Sequence, residues 1–108
     1  MTELKQNSIL QLLKEFKLRY MGEGIIIVGL FGSYARDSYD QFSDVDVAYE
    51  IDSKRFSEKY RDGFSKILRI EEIKEQLQQA FHKKVDLVSL KSSNHSFIDH
   101  IKQEMIYV

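Results

Sequence analysis

The segment from Asp44 to Ile51 alternates strictly between two sets of side chains. Successive residues of a β-strand point to opposite faces, so this alternation predicts a strand with one polar and one apolar face. A slip of one residue would turn every side chain to the wrong face, so its register is strongly specified. We therefore expect a polar active face on one side and a core face on the other. The first face carries Asp44, Asp46, Ala48 and Glu50, and the second carries Val45, Val47, Tyr49 and Ile51.

Other segments supply further strands and the helices that would cover a sheet. Apolar residues recur at three- and four-residue steps over residues 3–21 and 54–81, which predicts two amphipathic helical segments, the second interrupted near Gly63. The β-branched run Ile25–Val28 predicts a central strand buried on both faces. The remaining predicted elements are a short helical piece at Ser33–Arg36, a strand at Lys84–Leu90, a helix carrying Phe97, Ile98, Ile101 and Met105, and a terminal strand at 105–108. The order helix, strand, helix, strand, helix, strand, helix predicts an α/β (α+β) fold, a small mixed β-sheet with packed helices.

Length and composition limit the protein classes that fit. A chain of 108 residues has room for one core, so we expect one domain over 1–108. The net charge of −1 argues against the basic footprint of a duplex-binding protein, so no direct nucleic-acid contact is expected. The absence of cysteine excludes a disulfide framework and fits a reducing compartment. The longest apolar run, Ile25–Phe31, is too short for a membrane span, and no secretory signal is visible. We therefore expect a cytoplasmic protein with no membrane partner.

Two chemical signals flank the loop between the first two predicted strands. Gly32 would let the backbone turn sharply and approach a ligand, and Ser33 offers a hydroxyl and an N–H where a helix could begin, which together make an anion site. Asp44 and Asp46 would lie about 6.6 Å apart along one strand face, where Mg²⁺ would relieve their repulsion. Asp86 is a lone acid in an apolar strand, so burial would require a metal, a basic partner or a reacting hydroxyl beside it. Phosphate binding next to a divalent metal indicates nucleotide chemistry.

These residues resemble a known family. Gly32-Ser33, ten residues and then Asp44-Val45-Asp46 fit the GS-x10-DxD signature of the DNA polymerase beta-like nucleotidyltransferases, and Gly32 to Arg36 fits the variant GSxAR. The extent of the chain is similar to that of the minimal nucleotidyltransferases, the MntA-type antitoxins paired with HEPN ribonucleases. One departure is Asp37, where that family usually has glycine, so we expect a tighter turn or a different local charge beside Arg36.

The resemblance implies a polymerase beta-like nucleotidyltransferase fold and the transfer of AMP from ATP to a hydroxyl group. Gly32 and Ser33 would hold the β- and γ-phosphates, and Asp44 and Asp46 would hold two Mg²⁺ ions. Asp86 would help to position or deprotonate the acceptor. By this resemblance the catalytic and metal-binding residues are Asp44, Asp46 and Asp86, and the nucleotide-binding residues are Gly32, Ser33 and Arg36.

For Arg36 and the three histidines, a role in the site competes with an ordinary place at the protein surface. The Arg36 guanidinium would either clamp a triphosphate or pair at the surface with Asp37 or Asp40. His95 and His100 are five residues apart, a spacing that does not stack on one helix face, and His82 stands beside two lysines. We therefore expect the histidines to be surface residues.

Family analogy also implies the acceptor and the partner. The acceptor would be a tyrosine hydroxyl of a cognate HEPN toxin, with which the chain would form a hetero-oligomer and which it would neutralise by adenylylation. One alternative is a non-catalytic antitoxin that blocks its partner by contact alone. Another is a transferase for a small molecule or a nucleic-acid end, which the missing second domain and absent basic patch disfavour.

Overall fold

A computed structural model describes residues 4–91 and 94–108. Its four strands form one sheet in the order β3-β2-β1-β4, in which β1 is antiparallel to β2 and β4, and β2 is parallel to β3. The expected α/β fold with a small mixed sheet is therefore confirmed. The elements are α1 (Gln6–Tyr20), β1 (Ile25–Phe31), β2 (Val45–Ile51), α2 (Ser53–Lys59), α3 (Gly63–Phe81), β3 (Val85–Ser89), α4 (His95–Glu104) and β4 (Ile106–Tyr107), with a 3₁₀ turn at Met21–Glu23.

Short polar side chains fix where three of the helices begin. Asp52 caps α2 by accepting from the Arg55 N–H at 3.3 Å, and Asp62 caps α3 by accepting from the Ser65 N–H at 2.7 Å. Asn94 caps α4 in the same way. Such caps satisfy backbone N–H groups that the first helical turn leaves unpaired. The expected interruption near Gly63 is confirmed, since α2 ends at Lys59 and Asp62 starts a new helix.

Helices cover both faces of the sheet, and a β-bulge changes which residues of β1 face each core. The pairing of β1 with β2 shifts between Ile27 and Gly29, which adds one residue to β1. Ile27 and Leu30 therefore both face the core under α1 and α3, while Val28 and Phe31 face the smaller core under α4. A Cβ at Gly29 would lie 2.7 Å from the Met105 side chain, so glycine is needed at this position, where β4 pairs with β1. The smaller core consists of Phe31, Ala48, Leu90, Ile98, Ile101 and Met105.

The polar face predicted for β2 is only partly exposed, which corrects the expectation. Ala48 is fully buried in the core under α4, so a helix covers the middle of that face. The observed strand also begins one residue later than predicted, at Val45, so Asp44 precedes it. The face is therefore partly open at its two ends, where Asp46 and Glu50 lie, and closed at Ala48 between them.

The expected helix at Ser33–Arg36 is wrong. All of residues 32–44 are described, and the chain makes turns between β1 and β2, with Ala35 and Arg36 N–H both donating to the Gly32 carbonyl. The element order therefore differs from the expected simple alternation: β2 and β3 are separated by two helices, and β1 and β2 by a loop. Glu3, within the predicted first helix, lies outside the described residues. No helix in the described ranges is long and apolar enough to cross a membrane.

Candidate active site

The pairing of β2 with β3 brings two acids together that are forty positions apart in sequence. Asp46 is the register partner of Asp86 in this parallel pair, so both side chains lie on the α4 face of the sheet. Asp46 is half-buried and Asp86 is exposed. Asp86 was expected inside a buried strand, but β3 is an edge strand and leaves that carboxyl open to solvent.

The acids repel one another, and this repulsion helps to raise the pKa of Asp46. Burial, followed by the charge of Asp86, raises the pKa of Asp46 from 3.8 to about 6, and the charges of Asp44 and Glu104 act in the same direction. Asp44 therefore lies close enough to act on Asp46, although it does not belong to the strand. Desolvation and like charge both disfavour the ionised form of Asp46, so a cation in this place would be stabilised.

Gly32 lies directly against Asp46. Its φ of 76° is a left-handed conformation that glycine adopts readily, and this gives the expected sharp turn after β1. A Cβ at this position would press on the Asp46 Oδ2 atom and lie 2.9 Å from its Cγ. Glycine is therefore required twice here, once for the backbone conformation and once for room beside the carboxylate.

The turn after Gly32 is fixed by the first helix. Gln6 Nε2 donates to the carbonyls of Tyr34 at 2.8 Å and Ala35 at 3.2 Å. Tyr34 is buried and its ring stacks on that of Tyr39, with 4.2 Å between the centroids. Asp37 stands where the family resemblance leads us to expect glycine and has a φ of 60°, a left-handed conformation that aspartate is one of the few other residues to tolerate.

A lysine that the sequence analysis did not single out holds the loop before Asp44. Lys83 Nζ donates to the carbonyls of Gln41 at 2.9 Å and Ser43 at 3.0 Å. Beside it, the Val45 N–H donates to the Lys84 carbonyl at 3.0 Å. These contacts attach the end of the loop to the start of β3, and so hold Asp44 near Asp46.

Glu104, the last residue of α4, reaches the Gly-Ser turn and was also missed. Its Oε1 accepts from the Gly32 N–H at 3.0 Å, and its Oε2 accepts from Arg36 at 2.8 Å. Arg36 is thus paired with Glu104, and not with Asp37 or Asp40 as one interpretation expected. Burial alone would raise the pKa of the Glu104 carboxyl, but the hydrogen bonds from Arg36 and Gly32 outweigh it and hold that pKa below its usual value.

Gly32, Asp46, Asp86 and Glu104 line a cleft of about 320 Å³ between the sheet and α4, large enough for part of a nucleotide, whereas Asp44 and Arg36 lie outside its lining. Acids lie on the sheet side of the cleft, and α4 supplies Phe97, Ile101 and the exposed His100. His100 has the surface exposure expected, yet it lines the cleft and its Nε2 lies 4.0 Å from Glu104. The full lining is Phe31, Gly32, Asp46, Asp86, Val88, Phe97, His100, Ile101 and Glu104.

The donor chemistry of the cleft fits a hard divalent cation. Within residues 4–91 and 94–108, no three histidine, aspartate or glutamate side chains form a ready-made metal site. The neighbouring carboxylates of Asp46 and Asp86 offer oxygen ligands, and Mg²⁺ commonly takes one or two protein carboxylates and completes its shell with phosphate and water. The catalytic and metal-binding roles of Asp44, Asp46 and Asp86 stay predictions.

The sequence of this chain is similar to nucleotidyltransferase sequences. Residues 7–108 match the family described as "Polymerase beta, Nucleotidyltransferase". A protein of Methanocaldococcus jannaschii, named "putative protein adenylyltransferase", is 34% identical over 82 residues, which span 75% of this chain and 74% of that relative.

Solved structures share the fold. One described as "Structure of putative minimal nucleotidyltransferase" has a TM-score of 0.76 at 18% identity and covers 100% of both chains. A toxin-antitoxin structure with AMP-PNP has a TM-score of 0.63 at 23% identity, over 96% of this chain and 72% of that one. A mutant of the toxin-antitoxin pair MntA-HpeT has a TM-score of 0.60 at 21% identity, over 96% and 71%. The resemblance to minimal nucleotidyltransferases is confirmed, and the chain belongs to the polymerase beta nucleotidyltransferase family.

Proposed function

We propose that this nucleotidyltransferase uses Mg²⁺ and ATP to transfer AMP to a hydroxyl group of a partner protein. The observation that carries the proposal is the juxtaposition of Asp46 and Asp86 on neighbouring strands, with the Gly32 backbone packed against Asp46. Acids that repel each other beside a backbone N–H suit a ligand that brings both a cation and phosphate. The proposal includes the whole range 1–108 as one catalytic domain and the cytoplasm as its place of action.

In the reaction, the acceptor oxygen attacks the α-phosphorus of ATP. A bond forms between that oxygen and phosphorus, the bond from the α-phosphorus to the bridging oxygen breaks, and pyrophosphate leaves. When bound, Mg²⁺ supplies positive charge to the attacking and leaving oxygens. Asp44, Asp46 and Asp86 would hold the ions, and Asp86, whose side chain is exposed, would also orient or deprotonate the incoming hydroxyl.

The phosphates would bind at the Gly-Ser turn. The Gly32 N–H and the Arg36 guanidinium already hold one anionic group between them, the Glu104 carboxylate. A backbone N–H and a guanidinium are also common donors to phosphate oxygens. Ser33, the next residue, would add its hydroxyl and N–H as further donors.

The acceptor is proposed from the relatives. The name of the Methanocaldococcus jannaschii protein supports a protein acceptor, and the toxin-antitoxin neighbours support a toxin as that protein. We propose that the acceptor is a tyrosine of a HEPN-type ribonuclease toxin, that the two chains form a hetero-oligomer, and that adenylylation neutralises the toxin. The cleft is open beside Asp86, which suits a loop presented by a partner.

Calorimetry with ATP tests the metal-dependent part. ATP without a divalent ion would bring phosphate charge against Asp44 and Asp46, so we expect binding to be at least tenfold weaker in a chelator than in Mg²⁺, since about 1.4 kcal/mol corresponds to that factor. The Asp44→Asn/Asp46→Asn double variant should lose this dependence on Mg²⁺ and lose transfer. Glu50→Gln, which removes one charge from the same strand, is the matched control. Equal affinity of the wild type with Mg²⁺ and with chelator contradicts the proposed metal role.

A further inference from the structure

Glu104 occupies the position between the two groups that are proposed to bind phosphate. One carboxylate oxygen accepts from the Gly32 N–H at 3.0 Å and the other accepts from Arg36 at 2.8 Å. Both oxygens are therefore hydrogen-bonded within the protein. The side chain is 15% exposed, whereas Arg36 is 50% exposed. The contact therefore covers the Gly32 N–H and leaves much of the guanidinium open.

The position of Glu104 is set by the fold and not by this contact. Ile98, Ile101 and Met105 anchor α4 in the smaller core, and Ile106 and Tyr107 then pair with β1. Helix α4 thus ends at the Gly-Ser turn whether or not residue 104 carries a charge. A neutral side chain of the same size should therefore leave the helix where it is.

Glu104 lines the same cleft as Asp46 and Asp86, and its negative charge and that of Asp46 repel each other. His100 Nε2 on the same helix lies 4.0 Å from the Glu104 carboxylate on its exposed side. The Gly32 N–H and Arg36 donate the hydrogen bonds that compensate this carboxylate. A phosphate oxygen that binds at the turn needs those same two donors. The Gly32 N–H cannot donate to phosphate while it donates to Glu104.

We propose that Glu104 determines nucleotide affinity by occupying the phosphate position, from which its carboxylate has to withdraw when a triphosphate binds. This inference rests on the proposed function, because it takes the Gly-Ser turn as the phosphate site. Glutamate has three side-chain torsions, so its carboxylate can move away from the turn while α4 stays in place. His100 Nε2, which already lies 4.0 Å from Glu104 Oε2, stays within reach of the withdrawn carboxylate on the exposed side of the helix.

Calorimetry with inorganic triphosphate and with ATP, both in Mg²⁺, tests the inference on the full chain. Glu104→Gln keeps the size of the side chain and removes the competing charge, so we expect it to bind both ligands about three- to tenfold more tightly than the wild type, as loss of a charged hydrogen-bonded competitor would give. Asp99→Asn makes the same charge change on the same helix outside the cleft and should bind like the wild type. Arg36→Gln should bind more weakly.

A second measurement, an NMR titration, uses the wild-type protein alone. In the wild type, titration with inorganic triphosphate should shift the amide resonance of Gly32, because its N–H exchanges a carboxylate for a phosphate oxygen. The inference is overturned if Glu104→Gln binds triphosphate equally or less tightly while the wild type binds it, or if the Gly32 resonance does not move at saturation. Failure of the wild type and of every variant to bind triphosphate or ATP is a different result, which removes the proposed function and the inference with it.

Discussion

Asp46→Asn should stabilise the metal-free protein at neutral and alkaline pH. The substitution keeps the size of the side chain and removes a charge that burial and Asp86 disfavour. A pKa raised from 3.8 to about 6 corresponds to a penalty of about 3 kcal/mol when the group is fully ionised. Because Asp46 is only half-buried, solvent screening reduces this to about 1–2 kcal/mol. The melting temperature should then rise by about 5–10 °C for a domain of this size.

The sign of the pH dependence follows from the direction of the shift. The folded state binds the Asp46 proton more tightly than the unfolded state, so the penalty is absent below the unfolded pKa, grows between 3.8 and about 6, and is complete above that range. The difference in free energy of unfolding between Asp46→Asn and the wild type should therefore be largest at pH 8 and several-fold smaller at pH 4.

Urea unfolding in a chelator, followed by circular dichroism at several pH values, measures this difference. Glu50→Gln is the control, since it removes a charge from the same strand at a site without these neighbours, and its effect should stay within about 0.5 kcal/mol. Added Mg²⁺ should stabilise the wild type and leave Asp46→Asn unchanged. A variant that is less stable than the wild type at pH 8, or a difference that does not change with pH, would refute the reasoning.

Three further predictions follow from the same geometry. Gly32→Ala should lower the free energy of unfolding by about 2–4 kcal/mol in urea, because it adds left-handed strain and a clash with Asp46; a loss below 1 kcal/mol would contradict the close packing. Asp37→Gly should be as stable as the wild type or up to about 1 kcal/mol more stable, whereas Asp37→Val should lose about 1–2 kcal/mol; equal stability of the two variants in thermal melts would show that the turn carries no strain. Lys83→Met should reduce kcat at least tenfold with a small change in the melting temperature, because it releases the loop before Asp44; an unchanged kcat would exclude a positioning role for this lysine.

Much of the fold could be predicted because local patterns and local chemistry agree. The β-branched run at Ile25–Val28, the alternation after Asp44 and the helical periodicity of residues 54–81 each lie within one element. Asp62 and Gly63 mark the helix interruption through capping, which acts over three residues. The helix predicted at Ser33–Arg36 does not form, and the left-handed backbone at Asp37 that ends this turn has no clear signal in the local sequence.

The candidate site was only partly predictable because its parts come from distant elements. Gly32, Asp44 and Asp46 lie in one signature, and the signature points to them directly. That Asp86 neighbours Asp46 depends on the parallel pairing of β2 and β3, which two separate strand patterns do not specify. Glu104 lies 72 positions from Gly32, and as one of several charged residues on a helix it has no signal of its own.

The most direct test of the central claim is the mass of the acceptor after the reaction. The purified protein is incubated with ATP, Mg²⁺ and a HEPN-type toxin, the partner proposed above, and intact-protein and peptide mass spectrometry then locate any modification. The account predicts AMP on a toxin tyrosine, pyrophosphate released in equal amount, and loss of both with Asp46→Asn or Asp86→Asn but not with Asp99→Asn. A toxin that is silenced while it stays unmodified would contradict the account, and would show that the chain neutralises its partner by binding alone.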